Sequence, residues 1–166
     1  MTRASDDRPH IERRMLRERR FPATLVPILA NLKVVPRPSS YCVVKLPAGA
    51  KAPASAGDAR RLSVAWADQP QSFILPETEW NSMREEFGDA EVEKGFRILW
   101  LSVVPDGHEG SFMAVVTGML ADALVNARPS WSPGQFELIV KGSDLKQTRD
   151  ALDLIVSRAK GRLRGA

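Results

Sequence analysis

The sequence holds one cysteine, Cys42, in 166 residues. An intramolecular disulfide is therefore excluded, and a reducing compartment is expected. Cys42 lies in the apolar string Tyr41–Leu46, which predicts a buried, inert thiol. Histidine is nearly as scarce, with only His10 and His108. Two imidazoles and one thiol give no metal-ligand set of recognisable spacing. A Cys42–His108 nucleophile pair would need a third, orienting group, and no such group is indicated. The glycine patterns that cradle phosphates, GxGxxG and GxxxxGK[ST], are missing as well. Long apolar runs are also missing. The longest, Phe96–Val104, is broken by Arg97 and Ser102 and falls far short of the roughly 20 residues of a membrane helix. No secretory-type apolar stretch stands near the start. Together these gaps leave no catalytic constellation, no cofactor and no membrane partner to expect, and they point to a cytoplasmic, non-enzymatic protein.

What is present is an ordinary globular composition, 43% hydrophobic and 27% charged, enough for one good core or two small ones. The net charge of +4 is unevenly spread. Residues 1–20 carry seven arginines against Asp6, Asp7, Glu12 and Glu18, a net +3. Residues 158–166 carry Arg158, Lys160, Arg162 and Arg164 without an acid, a net +4, so the stretch between is about −3. Such basic stretches can hold phosphate backbones or anionic membranes. No aromatic beyond Phe21 interleaves with them, so solvated ends are expected and a nucleic-acid partner is not.

Along the chain, residues 1–20 are expected as a basic, disordered tail. Pro22 and Pro27 punctuate FPATLVPILANL, which allows a short helical turn or an extended lead-in. Lys33–Pro36 and Tyr41–Leu46 predict β-branched strands separated by a Pro- and Ser-rich turn. Pro47–Gly57 predicts an exposed loop. Leu62–Ala67 alternates as a strand, and Gln71–Leu75 forms the next, stopped by Pro76. Thr78 is the expected N-cap of a short helix through Phe87, and Gly88–Lys94 an acidic linker.

The C-terminal half carries the clearest periodicity. Phe96, Ile98, Trp100, Ser102 and Val104 line one face of a strand, and Leu99, Leu101 and Val103 the other. Apolar residues on both faces predict a central strand. After the loop Pro105–Gly110, Ser111 is the expected N-cap of a helix that presents Phe112, Val115, Val116, Met119, Leu120, Ala123, Leu124 and Ala127. Pro129 and Pro133 bound a short segment around Trp131. Phe136–Val140 predicts a strand. Gly142-Ser143 then turns into a last helix whose Leu145, Thr148, Leu152, Ile155 and Ala159 form one buried seam. Of the tryptophans, Trp66, Trp80 and Trp100 are expected in core or interface, and Trp131 at a ligand or partner surface.

The ordered set YCVVKLP (Tyr41–Pro47), LSVAWADQPQSFILPE (Leu62–Glu77), GFRILWLSVV from Gly95 and TGMLADAL from Thr117 resembles the tandem ACT-domain family, which is similar to the arginine-sensing CASTOR proteins. The resemblance covers about residues 32–156. It implies an α+β fold of two ACT-like, ferredoxin-like βαββαβ units, with antiparallel sheets and helices on one face. The first unit, 21–90, is reduced, the second is 91–160, and 161–166 is a basic tail. It also implies an amino acid or similar small molecule as ligand, and a homodimer. The implied ligand residues are Asp106, Gly107, His108, Glu109, Gly110 and Ser111 of the strand–helix loop, Thr117 and Gly118 of the helix, and Asp68 and Ser72 of the first hairpin; Trp131, singled out by its flanking prolines and not by the resemblance, is a further candidate contact. Free amides and the positive end of a helix dipole would suit a carboxylate at that loop. The chain departs from the family at Pro70 and at RPSWSPGQ (Arg128–Gln135), which motivates a ligand-independent dimerisation module as the alternative. Whether residues 32–36 or another chain supply the last strand of the second unit is open at this level.

Overall fold

The computed structural model describes residues 21–54, 60–61, 71–102, 107–132 and 135–165. These divide into two compact units. The inserted unit is 36–98; the split unit joins 21–35 to 99–165. The expected strand Leu62–Ala67, with Trp66, Asp68 and Pro70, lies outside the described residues, as do Asp106 and residues 1–20.

In the split unit, a 3-10 turn Ala23–Leu25 runs into helix α1, Val26–Ala30. Pro27 falls in its first turn, where a missing N–H removes no helical bond. Of the two conformations FPATLVPILANL allows, the chain takes the helical one. Asn31 closes it, with its Nδ2 donating to Pro27 O at 2.9 Å. Strand β1, Val34–Pro36, follows. The chain returns to this unit at the end of the long strand β5, Glu91–Leu101. It continues through α3 (Glu109–Asp122), β6 (Ala127–Ser132), β7 (Gln135–Lys141) and α4 (Leu145–Arg164). The strand order is β1-β5-β7-β6. That is the ferredoxin-like order with its last strand drawn from the segment preceding the inserted unit, which answers the question of residues 32–36. Backbone bonds flank the pairing, Ser102 N donating to Lys33 O at 2.9 Å and Arg37 N to Ile98 O at 2.8 Å, and Lys33 N donates to the side-chain Oγ of Ser102 at 3.0 Å.

The core of this unit follows from the two periodicities. Leu99 and Leu101 of β5, and Phe136, Leu138 and Val140 of β7, alternate inward. They meet Phe112, Val116, Met119 and Leu120 of α3 and Ala151, Leu152, Ile155 and Ala159 of α4, with Leu25 and Leu29 from the N-terminal turn and helix. Phe96 and Ile98 are buried on the opposite parity of β5, as the two-faced apolar pattern predicts.

Three expectations here need correction. The segment around Trp131, where the sequence signals no strand and Pro129 is expected as a boundary, is strand β6, with Ser130 opposite Glu137 and Trp131 opposite Phe136. Pro129 hid this strand; proline is tolerated because β6 is an edge. Leu124 does not continue the helix stripe: it has φ 56° and is 76% exposed. Leu124 N donates to Ala121 O and Val125 N to Leu120 O, each at 2.9 Å, a Schellman ending with leucine where glycine is usual. Ala127, placed on the same stripe, begins β6 instead. Finally, α4 runs past residue 160 to Arg164, where a tail was expected. Basic residues suit a helix C-terminus, and Arg162 is tied back to Phe21 O at 2.7 Å.

In the inserted unit, β2 (Tyr41–Lys45), β3 (Arg60–Arg61) and β4 (Ser72–Pro76) join the first part of β5 in the order β3-β4-β2-β5, every pair antiparallel. Helix α2, Glu77–Met83, and a 3-10 turn, Arg84–Phe87, follow β4. Among the described residues, the connection between β2 and β3 holds no α-helix. Its core is Cys42, Val44, Leu46, Phe73, Leu75, Trp80 and Phe87. Phe87 packs edge-on to Phe73 at 6.2 Å and tilted to Trp80 at 5.4 Å.

Here too the sequence expectation moves. Thr78 is not an N-cap: α2 starts two residues earlier than that cap implies, after Pro76, and no side chain caps it. Glu77 is used instead, its N–H donating to Ser40 O and its Oε1 accepting from Gly95 N, both at 2.9 Å. Residues Glu91–Lys94 are strand rather than linker, since Val43, Val44 and Lys45 pair with Glu93, Val92 and Glu91. The register slips between that stretch and Tyr41–Phe96, and Gly95 takes φ +83° at the resulting bulge. No helix among the described residues is long and apolar enough to cross a membrane.

Candidate functional site

The strand–helix junction of the split unit is built by one glycine and one uncapped helix. Gly107 has φ +85°, a left-handed backbone that any side chain would strain. His108 follows as the N-cap of α3, half-buried, and no side chain bonds the first turn. Ser111, expected as the cap, is instead the third helical residue and exposed. The left-handed turn at Gly107 starts the helix three residues early, and Phe112 N already donates to His108 O at 2.8 Å. The amides of Glu109, Gly110 and Ser111 consequently lack helical acceptors and lie at the positive end of a 14-residue helix. A Cβ at Gly110 would meet open space. Glu109 is the one acid in that first turn and itself complements the dipole.

The remaining sequence-derived residues are placed unevenly. Thr117 and Gly118 lie on the same helix, seven positions beyond Gly110 and Ser111, hence on the same face and about 10 Å along the axis. Thr117 Oγ1 donates to Met113 O at 2.6 Å, so its proton is spent inside the helix. Ser72 is half-buried at the start of β4 in the inserted unit, opposite Lys45. The backbone of Trp131 lies in β6. Asp68 and Asp106 fall outside the described residues. Gly107, His108, Glu109, Gly110 and Ser111 thus form one contiguous group.

Two polar features had no signal in the sequence. Glu137 on β7 is only 2% exposed. Trp100 Nε1 is buried and makes no hydrogen bond. By strand parity, both stand opposite to the inward set of Leu99, Leu101, Phe136 and Leu138.

Among the described residues, no group of three His, Cys, Asp or Glu could hold a metal ion. Cys42 is fully buried, and its Sγ lies 3.6 Å from Leu75 O. Burial, aided by the charge of Glu77, pushes its thiol up to about 11. The unfolded thiol ionises near 9, so between pH 9 and 11 the unfolded chain binds fewer protons than the folded one. Stability is therefore predicted to fall as pH rises through that window, by up to roughly 2–3 kcal/mol. Urea titrations at pH 8 and pH 10.5 test this, and Cys42→Ala removes the thiol's share of the difference. Equal pH slopes for the two proteins would refute it.

No protein-family model matches this chain, and no curated protein does. Solved structures do. A structural-genomics protein of Agobacterium tumefaciens superposes with a TM-score of 0.59 at 19% identity, over 75% of this chain and 89% of that one. The regulatory subunit of aspartate kinase from Thermus flavus gives 0.54 at 12%, over 74% and 95%. Aspartokinase III of E. coli, solved with aspartate and ADP, gives 0.54 at 16%, over 74% of this chain but 33% of that enzyme. At such identities the likeness is one of fold, and this chain spans a third of the whole kinase. The protein therefore has an α+β fold with an antiparallel sheet and packed helices, the ACT and ferredoxin-like architecture also found in aspartate kinase regulatory regions.

Proposed function

We propose that this protein is a non-enzymatic regulator that binds an amino acid or a closely similar small molecule. The observation that carries this is the uncapped start of α3 after the left-handed Gly107, within a unit of ACT-like strand order. The carboxylate would take the amides of Glu109, Gly110 and Ser111, with His108 beside it and Thr117 and Gly118 further along the same face. Asp68, Ser72, Asp106 and Trp131 are carried as further candidate contacts. The kinase relative solved with aspartate makes that amino acid the first to test, and the sequence resemblance to CASTOR-type sensors makes arginine the second. Action as a cytoplasmic homodimer belongs to the same proposal.

A ligand that binds only the folded state stabilises it by about 2.7 kcal/mol at a hundred times Kd. Thermal melting against each of the twenty amino acids, at millimolar concentration, is expected to give a rise in Tm with at least one. Gly110→Glu, which projects a carboxylate into open space, is expected to abolish that rise while leaving the ligand-free protein folded. Failure of all twenty to move the transition would sink the amino-acid proposal. A second reading, a dimerisation module without ligand, is favoured by Glu109, whose own charge already complements the helix end, and by the spent hydroxyl of Thr117. Self-association that ignores all twenty amino acids supports it.

A further inference from the structure

The outward face of α4 carries its charges in an order that suits a second helix better than its own. Lys146, Arg149, Asp150 and Asp153 follow one another at spacings of three, one and three, so they share one helix face. All four are exposed. The face lies away from the buried seam of Thr148, Leu152, Ile155 and Ala159. Within a single helix this order is unfavourable. Lys146 falls in the first turn, which holds no acid, although the positive end of the dipole favours one there. Lys146 bonds Asp150 at 2.7 Å, but a base four residues before an acid is the weaker direction of such a pair. Arg149 and Asp153 have the same spacing and, among the described residues, form no ion pair.

The signs are antisymmetric about the point between Arg149 and Asp150. Two copies of α4 laid antiparallel across a two-fold axis at that point bring Lys146 opposite Asp153 of the second copy and Arg149 opposite its Asp150, and symmetry repeats each contact. Leu145 and Leu154, both half-buried, border the face on its two sides, and the same axis sets one opposite the other. We infer that this face of α4 is the surface on which two copies of the chain associate, antiparallel, through these charge pairs. A partner of one sign, such as a phosphate backbone or an acidic peptide, fits less well, because it would meet two like charges along with two unlike ones. Such a surface rests on the homodimer of the proposed function, to which it assigns a place.

The test is sedimentation equilibrium of the full chain from about 10 µM to about 1 mM. Expected is a monomer–dimer equilibrium that weakens as salt rises, since exposed charge pairs are screened. Lys146→Asp with Arg149→Asp leaves only acids at the four positions, and Asp150→Lys with Asp153→Lys leaves only bases. Each double variant alone is expected to associate at least about tenfold more weakly, and an equimolar mixture of the two to regain association as a heterodimer, read by its mass in native mass spectrometry. Circular dichroism checks that both variants remain folded. A dimer that neither reversal weakens overturns this surface and leaves the homodimer reading standing. A monomer at every concentration overturns both. Weakened association in the two variants without recovery in the mixture overturns the pairing of charges across the axis.

Discussion

A chain begun at Arg37 is expected to lose the cooperative fold of residues 99–164. The deleted stretch places Phe21, Leu25, Val26, Leu29, Ala30 and Leu32 in the core, each at most 8% exposed. Burial of a large apolar side chain contributes about 1.5–3 kcal/mol, so Phe21, Leu25, Val26 and Leu29 alone contribute about 6–12 kcal/mol. That equals the whole net stability of a typical domain, about 5–15 kcal/mol. The deletion also strips β1 from β5 and leaves an unpaired strand edge, which invites aggregation. Hydrogen exchange reads the outcome directly: amides of α3, β7 and α4 protected in the full chain should exchange freely in the shortened one. Near-native protection there would mean that residues 21–36 are an appendage, not the closing strand and helix of the unit.

The second large effect is expected at Phe136. It is 2% exposed and meets Phe112 edge-on, with centroids 5.4 Å apart and planes at 85°. Phe136→Ala removes the ring contact and leaves a cavity, a loss of about 3–5 kcal/mol. In urea, the midpoint should fall with the slope unchanged. Phe112 adjoins Ser111, so the same substitution should loosen the first turn of α3 and weaken any ligand-induced rise in Tm. A loss below about 1 kcal/mol would show that this ring pair does not anchor the helix.

Much of this was legible in the residues because the relevant signals are local. The alternation in Phe96–Leu101 and the three-and-four spacing of Thr148, Leu152, Ile155 and Ala159 predict the observed burial. What the sequence hid depends on partners distant in the chain. β6 carries Pro129 and shows no alternation; only its edge position beside β7 makes it a strand. Glu91–Lys94 read as a polar linker because their strand character comes from pairing with Val43–Lys45 across the Gly95 bulge. The role of β1 was undecidable from Val34 and Val35, since a three-residue strand acquires meaning only from what it pairs with. At the candidate site, the Gly-rich loop was visible, but its cap was misplaced from Gly107-His108 to Ser111. Serine is the commoner cap; the left-handed glycine started the helix earlier. The tie of Arg162 to Phe21 had no sequence signal, because 141 residues separate Phe21 from Arg162.

The central functional claim is that an amino-acid carboxylate docks on the first turn of α3. A 15N-HSQC titration of the full chain, with aspartate and then each other amino acid, tests it most directly. Saturable shifts are expected for at least one amino acid, largest at the amides of Glu109, Gly110 and Ser111 and absent in Gly110→Glu. Unmoved amides at those three positions under every amino acid, or shifts confined to other parts of the chain, would contradict the claim.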